Sequence, residues 1–104
     1  MGEKVEKEKR ILSDIVEILK KYLNPEKIIL FGSRAENRNS SGSDFDIAIS
    51  GKRPDMEVER KIRDEIEKII GLYKFDIVFI DSVEEKFKEI ILKTGRIIYE
   101  RGAG

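Results

Sequence analysis

The 104-residue chain contains no cysteine, histidine, tryptophan or glutamine. Without cysteine and histidine it has no disulfide, thiol nucleophile, Cys/His zinc site or serine–histidine triad. Catalysis would therefore depend on carboxylates, lysine, arginine, hydroxyl groups and metal ions bound by oxygen. A charge excess is also absent, because 21 basic and 21 acidic residues balance. We therefore expect no direct nucleic-acid binding and no attraction to an anionic membrane.

Long apolar runs are missing as well. No stretch approaches the length of a membrane span, and the first residues, Met1-Gly2-Glu3-Lys4, do not resemble a signal-peptide core. These features predict a cytoplasmic protein. The length predicts one domain over residues 1–104. A hydrophobic share of 39% that includes 17 isoleucines is enough for a core, so the 40% of charged residues is expected on solvated faces.

Helix and strand patterns alternate along the chain. The predicted order is a helix ending at Asn24-Pro25, a strand over 27–31, a polar loop over 32–43, a strand over 44–50, a helix, a strand over 74–80, a helix and a strand over 96–100. Pro54 suits the first position of the second helix. Ser82 and Glu85 have the spacing of a capping box at the start of the third. This order predicts an α/β (α+β) fold, a small mixed sheet with helices packed on it.

Three aspartates stand out from their strands. Period-two alternation places Asp44 and Asp46 on one face of their strand, where both could ligate Mg²⁺; a polar strand face turned to water is the alternative. Asp76 lies within the apolar run Phe-Asp-Ile-Val-Phe-Ile, so it either completes a three-carboxylate cluster or lies near solvent or beside an arginine. Such a cluster needs cations to neutralise it and suits phosphoryl or nucleotidyl transfer.

Gly32-Ser33 directly follows a strand and opens the polar loop. A glycine lets a phosphate approach the backbone, the serine hydroxyl and nearby amides can bind phosphate oxygens, and Arg34 can oppose their charge. An ordinary turn is the alternative, since a Gly-Ser pair alone is common. Neither a P-loop nor a dinucleotide-binding fingerprint occurs.

Taken together, these motifs resemble the DNA polymerase beta-type nucleotidyltransferase superfamily. The resemblance rests on Gly32-Ser33, ten intervening residues, Asp44-Phe45-Asp46 and an isolated Asp76 on the next strand. The fuller strings, Phe31-Gly32-Ser33-Arg34-Ala35 and Ser43-Asp44-Phe45-Asp46-Ile47-Ala48-Ile49, are most similar to the minimal nucleotidyltransferases of the MntA type, over nearly the whole chain.

The resemblance implies a polymerase beta-like fold and a role for each motif residue. Gly32 and Ser33, with Arg34, would bind the nucleotide phosphates. Asp44, Asp46 and Asp76 would be the catalytic residues and ligate two Mg²⁺ ions, with Mn²⁺ as a substitute, and Asp76 would also activate the acceptor hydroxyl. The reaction would move AMP from ATP to a hydroxyl with loss of pyrophosphate.

The resemblance also implies a partner, because minimal members commonly pair with a HEPN-domain toxin. The acceptor would then be a tyrosine of that toxin, and the chain would act as an antitoxin by protein adenylylation (AMPylation). Two alternatives stay open from the sequence: a homodimer that transfers a nucleotide to a small molecule, and an antitoxin that occludes its partner without catalysis.

Overall fold

The computed structural model of the chain describes residues 2–32 and 45–102, with side chains from residue 6 onward. It contains three helices and four strands in the described ranges. In chain order these are α1 (Gly2–Leu23), β1 (Lys27–Phe31), β2 (Phe45–Ile49), α2 (Met56–Ile70), β3 (Phe75–Phe79), a 3₁₀ turn (Ile80–Ser82), α3 (Glu85–Thr94) and β4 (Arg96–Glu100). None of these helices is both long and apolar enough to cross a membrane.

The four strands form one mixed sheet in the order β3-β2-β1-β4. β1 pairs antiparallel with β2 and with β4, whereas β2 and β3 run parallel. A parallel pair needs a long crossover connection, and α2 supplies it. The pairing of β1 and β4 is irregular, because Ile28 lies opposite Tyr99 and Ile29 opposite Ile97, so Ile98 forms a bulge. The predicted small mixed sheet with packed helices is confirmed.

The larger core lies between one face of the sheet and helices α1 and α2. Apolar side chains at helical spacing on these two helices meet the alternate inward-facing residues of the strands. This core is formed by Ile11, Ile15, Ile18, Leu19, Ile28, Leu30, Phe45, Ile47, Ile49, Ile62, Ile66, Ile70, Ile77 and Phe79.

A smaller core lies on the opposite face of the sheet, beneath α3. Its buried members are Ile29, Ala48, Ile80 and Ile91, with Phe31, Val78 and Phe87 packed against them. Among the helices that the structure describes, two pack on one face of the sheet and one, of ten residues, packs on the other, so the two faces differ in cover.

Most predicted element boundaries are confirmed, and two helix starts are wrong. α2 begins at Met56 after Asp55, whose carbonyl accepts the Glu59 N–H, so Pro54 precedes the helix. α3 begins at Glu85, and the predicted capping box does not form. The reason is that Ser82 ends a 3₁₀ turn, where its hydroxyl accepts a hydrogen bond from the Arg53 N–H at 3.0 Å.

Candidate active site

Two of the predicted carboxylates lie side by side on neighbouring strands. Asp46 of β2 is in register with Asp76 of β3. Parallel neighbours stand roughly 4.8 Å apart and residues in register share a face, so both carboxylates emerge from the same side of the sheet. Asp46 is partly buried, whereas Asp76 is exposed because β3 is an edge strand. Asp76 therefore lies near solvent, which is one of the environments expected from the sequence, and it also lies beside Asp46.

Gly32 meets the same carboxylate from the end of β1. Its φ of 78° is a left-handed backbone conformation that favours glycine. A β-carbon at this position would overlap Oδ2 of Asp46 and lie 3.2 Å from its Cγ. Gly32, the first residue of the predicted phosphate-binding motif, therefore lies in direct contact with the Asp46 carboxylate, and only hydrogen atoms at Gly32 leave room for it.

The other predicted site residues, Ser33, Arg34 and Asp44, lie outside the described residues. Their assignment stays a prediction. Asp44 directly precedes Phe45, the first residue of β2, and Ser33 directly follows Gly32.

The described donors suit a hard divalent cation. Carboxylate oxygens are the ligands that Mg²⁺ prefers, and one or two carboxylates with substrate phosphates are a usual set for it. Asp46 and Asp76 provide such a pair, and Gly32 lies against the Asp46 carboxylate. Within residues 6–32 and 45–102, no three acidic side chains come together as a metal-binding group. The resemblance found in the sequence predicts Asp44 as a third ligand, and this prediction lies outside the described residues.

An aromatic residue, Phe31, borders the carboxylates and packs against a second, Phe87, and the sequence patterns gave neither residue a role. Phe31 lies opposite Asp46 in the β1–β2 register, on its other side from Asp76. Phe87 of α3 packs against Phe31 with ring centroids 5.9 Å apart and an interplanar angle of 82°. Alternation along β1 could have placed Phe31 on this face, since Ile28 and Leu30 face the larger core. The contact with Phe87 follows only from the tertiary fold.

Solved structures with the same fold include toxin–antitoxin complexes. One, a toxin–antitoxin with AMP-PNP, has a TM-score of 0.74 and 18% identity over 86% of this chain and 73% of that one. A mutant MntA–HpeT toxin–antitoxin has a TM-score of 0.69 and 16% identity, with coverage of 86% and 73%. A structure described as a minimal nucleotidyltransferase has a TM-score of 0.66 and 17% identity, covering 80% and 84%. At these identities the likeness shows a shared fold.

The comparison with protein families covers most of the chain. No curated protein matches the sequence. Residues 13–103 match the family "Polymerase beta, Nucleotidyltransferase", a span that contains Gly32, Asp46 and Asp76. The predicted resemblance to this superfamily is confirmed by that match and by the shared fold. The chain belongs to the polymerase beta nucleotidyltransferase family.

Proposed function

We propose that the chain is a Mg²⁺-dependent nucleotidyltransferase that moves AMP from ATP to a tyrosine hydroxyl of a HEPN-domain toxin, and so acts as its antitoxin. The observation that carries this proposal is the alignment of Asp46 with Asp76, with Gly32 lying against the Asp46 carboxylate. Family membership supports the reaction class. Toxin–antitoxin complexes among structures of the same fold support the choice of partner. The use of ATP implies a cytoplasmic protein.

In this proposal, one end of the site binds the triphosphate. The backbone at Gly32 and the hydroxyl of Ser33 bind phosphate oxygens, and Arg34 opposes their charge. Asp44, Asp46 and Asp76 would hold Mg²⁺, or Mn²⁺ in its place. The bound cations would neutralise charge on the triphosphate and on the pyrophosphate leaving group.

Asp76 then has a second task, which is to accept a proton. The acceptor hydroxyl gives its proton to the Asp76 carboxylate while its oxygen forms a bond to the α-phosphorus of ATP. The bond between the α-phosphorus and the oxygen that bridges to the β-phosphate breaks, and pyrophosphate leaves. An aspartate is suited to this task here because the chain has no histidine to act as the base.

The position of Asp76 also favours a macromolecular acceptor. It is exposed and lies on an edge strand, so a hydroxyl carried by another protein can reach it without entering a deep pocket. An enclosed cleft would instead suit a small acceptor.

Label transfer from ATP tests the reaction and its acceptor. The chain is incubated with Mg²⁺ and a lysate of cells that produce it, with radiolabel on the α-phosphate in one sample and on the γ-phosphate in another. We expect label from the α position alone, on one protein that mass spectrometry identifies as a HEPN-domain toxin modified on tyrosine. Asp76→Asn should slow this transfer about 10²- to 10⁴-fold, the usual contribution of a general base.

The control is Asp64→Asn, which changes an exposed aspartate on α2, a helix of the opposite face. It should leave transfer unchanged. Transfer of the γ-label, or equal transfer by Asp76→Asn and the wild type, would contradict the proposal. Neutralisation of the toxin by a chain carrying both Asp44→Asn and Asp46→Asn would favour occlusion without catalysis.

A further inference from the structure

We infer that Phe31 and Phe87, the aromatic pair of this site, bind the nucleoside of the nucleotide substrate. The parts of the substrates would then lie in order along the site. The nucleoside would lie over β1 and α3, the phosphates at Gly32 and Asp46, and the acceptor at Asp76. This inference rests on the proposed function and goes beyond it, because it names the residues that contact the base and the side from which the acceptor enters.

The strand register supplies the direction. Phe31, Asp46 and Asp76 lie in one row across β1, β2 and β3. Residues in register on adjacent strands share a face and stand about 5 Å apart, so the row passes from an aromatic ring through one carboxylate to the other. Asp46 is the middle member, and Gly32 touches it. A nucleotide whose phosphates are held at the middle has an apolar neighbour on one side and a carboxylate on the other.

Helix α3 adds a second aromatic ring, that of Phe87, to the apolar side of this row. Phe87 meets Phe31 nearly edge-to-face, and both rings are only partly buried, so the pair keeps some solvent-accessible surface. On the opposite side, β3 is an edge strand and Asp76 is exposed. The two ends of the row therefore differ in chemistry, the first suited to a flat apolar ring and the second to a hydroxyl that gives up its proton.

The chemistry of a purine matches the aromatic end. Bases stack on aromatic side chains, and one such contact is worth about 5- to 150-fold in affinity. The competing explanation is that Phe31 and Phe87 only hold α3 on the sheet, since edge-to-face pairs are common in cores. The two explanations differ in ligand dependence. A stacking pair affects ligands that carry a base, whereas a packing pair affects all ligands alike or none.

Binding of two ligands separates these explanations. Affinities for ATP and for inorganic tripolyphosphate, both with Mg²⁺, are measured by calorimetry for the wild type and for Phe31→Leu and Phe87→Leu. We expect each variant to bind ATP about 5- to 150-fold more weakly and to bind tripolyphosphate as the wild type does. The control is Phe75→Leu, a partly buried phenylalanine that packs against the larger core on the opposite face. It should change neither affinity.

A second measurement does not depend on the stability of the leucine variants. The chain has no tryptophan, so Phe87→Trp introduces a single fluorophore at the aromatic pair. Stacking of adenine on this ring should quench its fluorescence when Mg²⁺ and ATP are added, whereas Mg²⁺ and tripolyphosphate should not. The same fluorescence with both ligands would overturn the inference.

The outcomes also separate this inference from the proposed function. If the wild type binds neither ATP nor tripolyphosphate, the proposed function fails and the inference fails with it. If the wild type binds both and the leucine variants lose affinity for both equally, or for neither, only the inference is overturned. Selective loss of ATP affinity in Phe31→Leu and Phe87→Leu, with Phe75→Leu unaffected, supports it.

Discussion

Gly32 is constrained twice, by its backbone and by its neighbour. Its φ of 78° is unfavourable for any residue with a β-carbon. Independently, the space that a β-carbon would take is occupied by the carboxylate of Asp46. Gly71, which follows α2, has a similar φ of 67° but nothing within 4 Å of a β-carbon. A comparison of Gly32 with Gly71 thus separates the effect of backbone strain from the effect of the contact with Asp46.

Gly32→Ala should impair the site more than it impairs the fold. Left-handed strain destabilises the native state by about 1 kcal/mol in both Gly32→Ala and Gly71→Ala. Only Gly32→Ala also pushes the Asp46 carboxylate from its place, and a displacement of about 1 Å at such a site can cost on the order of 100-fold in rate. Urea denaturation measures the stability of both variants, and label transfer from ATP measures the rate. Similar transfer by the two variants would show that Asp46 does not need this space.

At the scale of elements, α1 and α2 are joined by a small polar cluster at the edge of the larger core. The Tyr22 hydroxyl donates a hydrogen bond to Glu65 Oε2, and Lys21 Nζ lies 2.9 Å from Glu65 Oε1. The hydrogen bonds from Tyr22 and Lys21 hold the pKa of Glu65 below its ordinary value. The same bonds to Glu65 raise the pKa of Tyr22 and of Lys21.

These shifts predict how stability varies with pH. Because the Glu65 pKa is lower in the folded state, its contribution is present above the unfolded pKa and is lost as the pH falls below about 4. The Tyr22 and Lys21 pKa values are higher in the folded state, so their contribution is lost as the pH rises above about 10. Glu65→Gln should therefore flatten the stability profile at both ends, as measured by urea denaturation across pH.

The control for this profile is Glu67→Gln, which changes an exposed glutamate two residues further along α2. It should leave the dependence on pH as it is in the wild type. A Glu65→Gln profile that runs parallel to that of the wild type would mean that the cluster does not couple proton binding to folding.

Local patterns predicted most elements because each element carries its own signal. The strands over 27–31 and 96–100 are confirmed, and α1 ends before Asn24, whose φ is 45°, and Pro25. The predicted start of α3 was wrong because the hydrogen bond of Ser82 is made with a distant segment of the chain. Its hydroxyl binds the backbone of Arg53, which is 29 positions away in the chain. No pattern within four residues contains that information.

At the scale of the whole molecule, the sheet lies between two hydrophobic cores of unequal size. Of the residues that the structure describes, fourteen are buried in the larger core and four in the smaller, so their packing beneath α3 involves few side chains. Ile91 is fully buried there, whereas the adjacent Ile90 is 56% exposed. This pair of neighbours tests how strongly α3 is coupled to the rest of the molecule.

Ile91→Ala should destabilise the entire domain. Removal of a fully buried isoleucine costs about 2–5 kcal/mol, whereas the same change at Ile90 should cost about 0.5 kcal/mol or less beyond helix propensity. The residues predict one domain, so unfolding should be a single transition. Far-ultraviolet circular dichroism and tyrosine fluorescence should then give one urea midpoint in each variant. Separate midpoints for the two probes would show that α3 and its core unfold independently.

Topology is where sequence-based prediction was least complete. The interpretation of Asp76 as part of a carboxylate cluster required its strand to lie beside the strand of Asp46, and the two strands are neighbours. The position of β4 beside β1, and of Phe31 beside Asp46, depends on pairing between distant segments. The glycine at 32 was predicted to admit phosphate, but its contact with the Asp46 carboxylate required the three-dimensional arrangement.

The bulge at Ile98 has a consequence for association between molecules. β4 is an edge strand, and an exposed edge is a template on which another chain can add a strand. The bulge breaks the regular spacing of that template, and it lets the consecutive residues Ile98 and Tyr99 both pack against the larger core. Charged residues, Arg96 and Glu100, stand at the two ends of the strand. The irregularity that completes the core thus also protects this edge against aggregation.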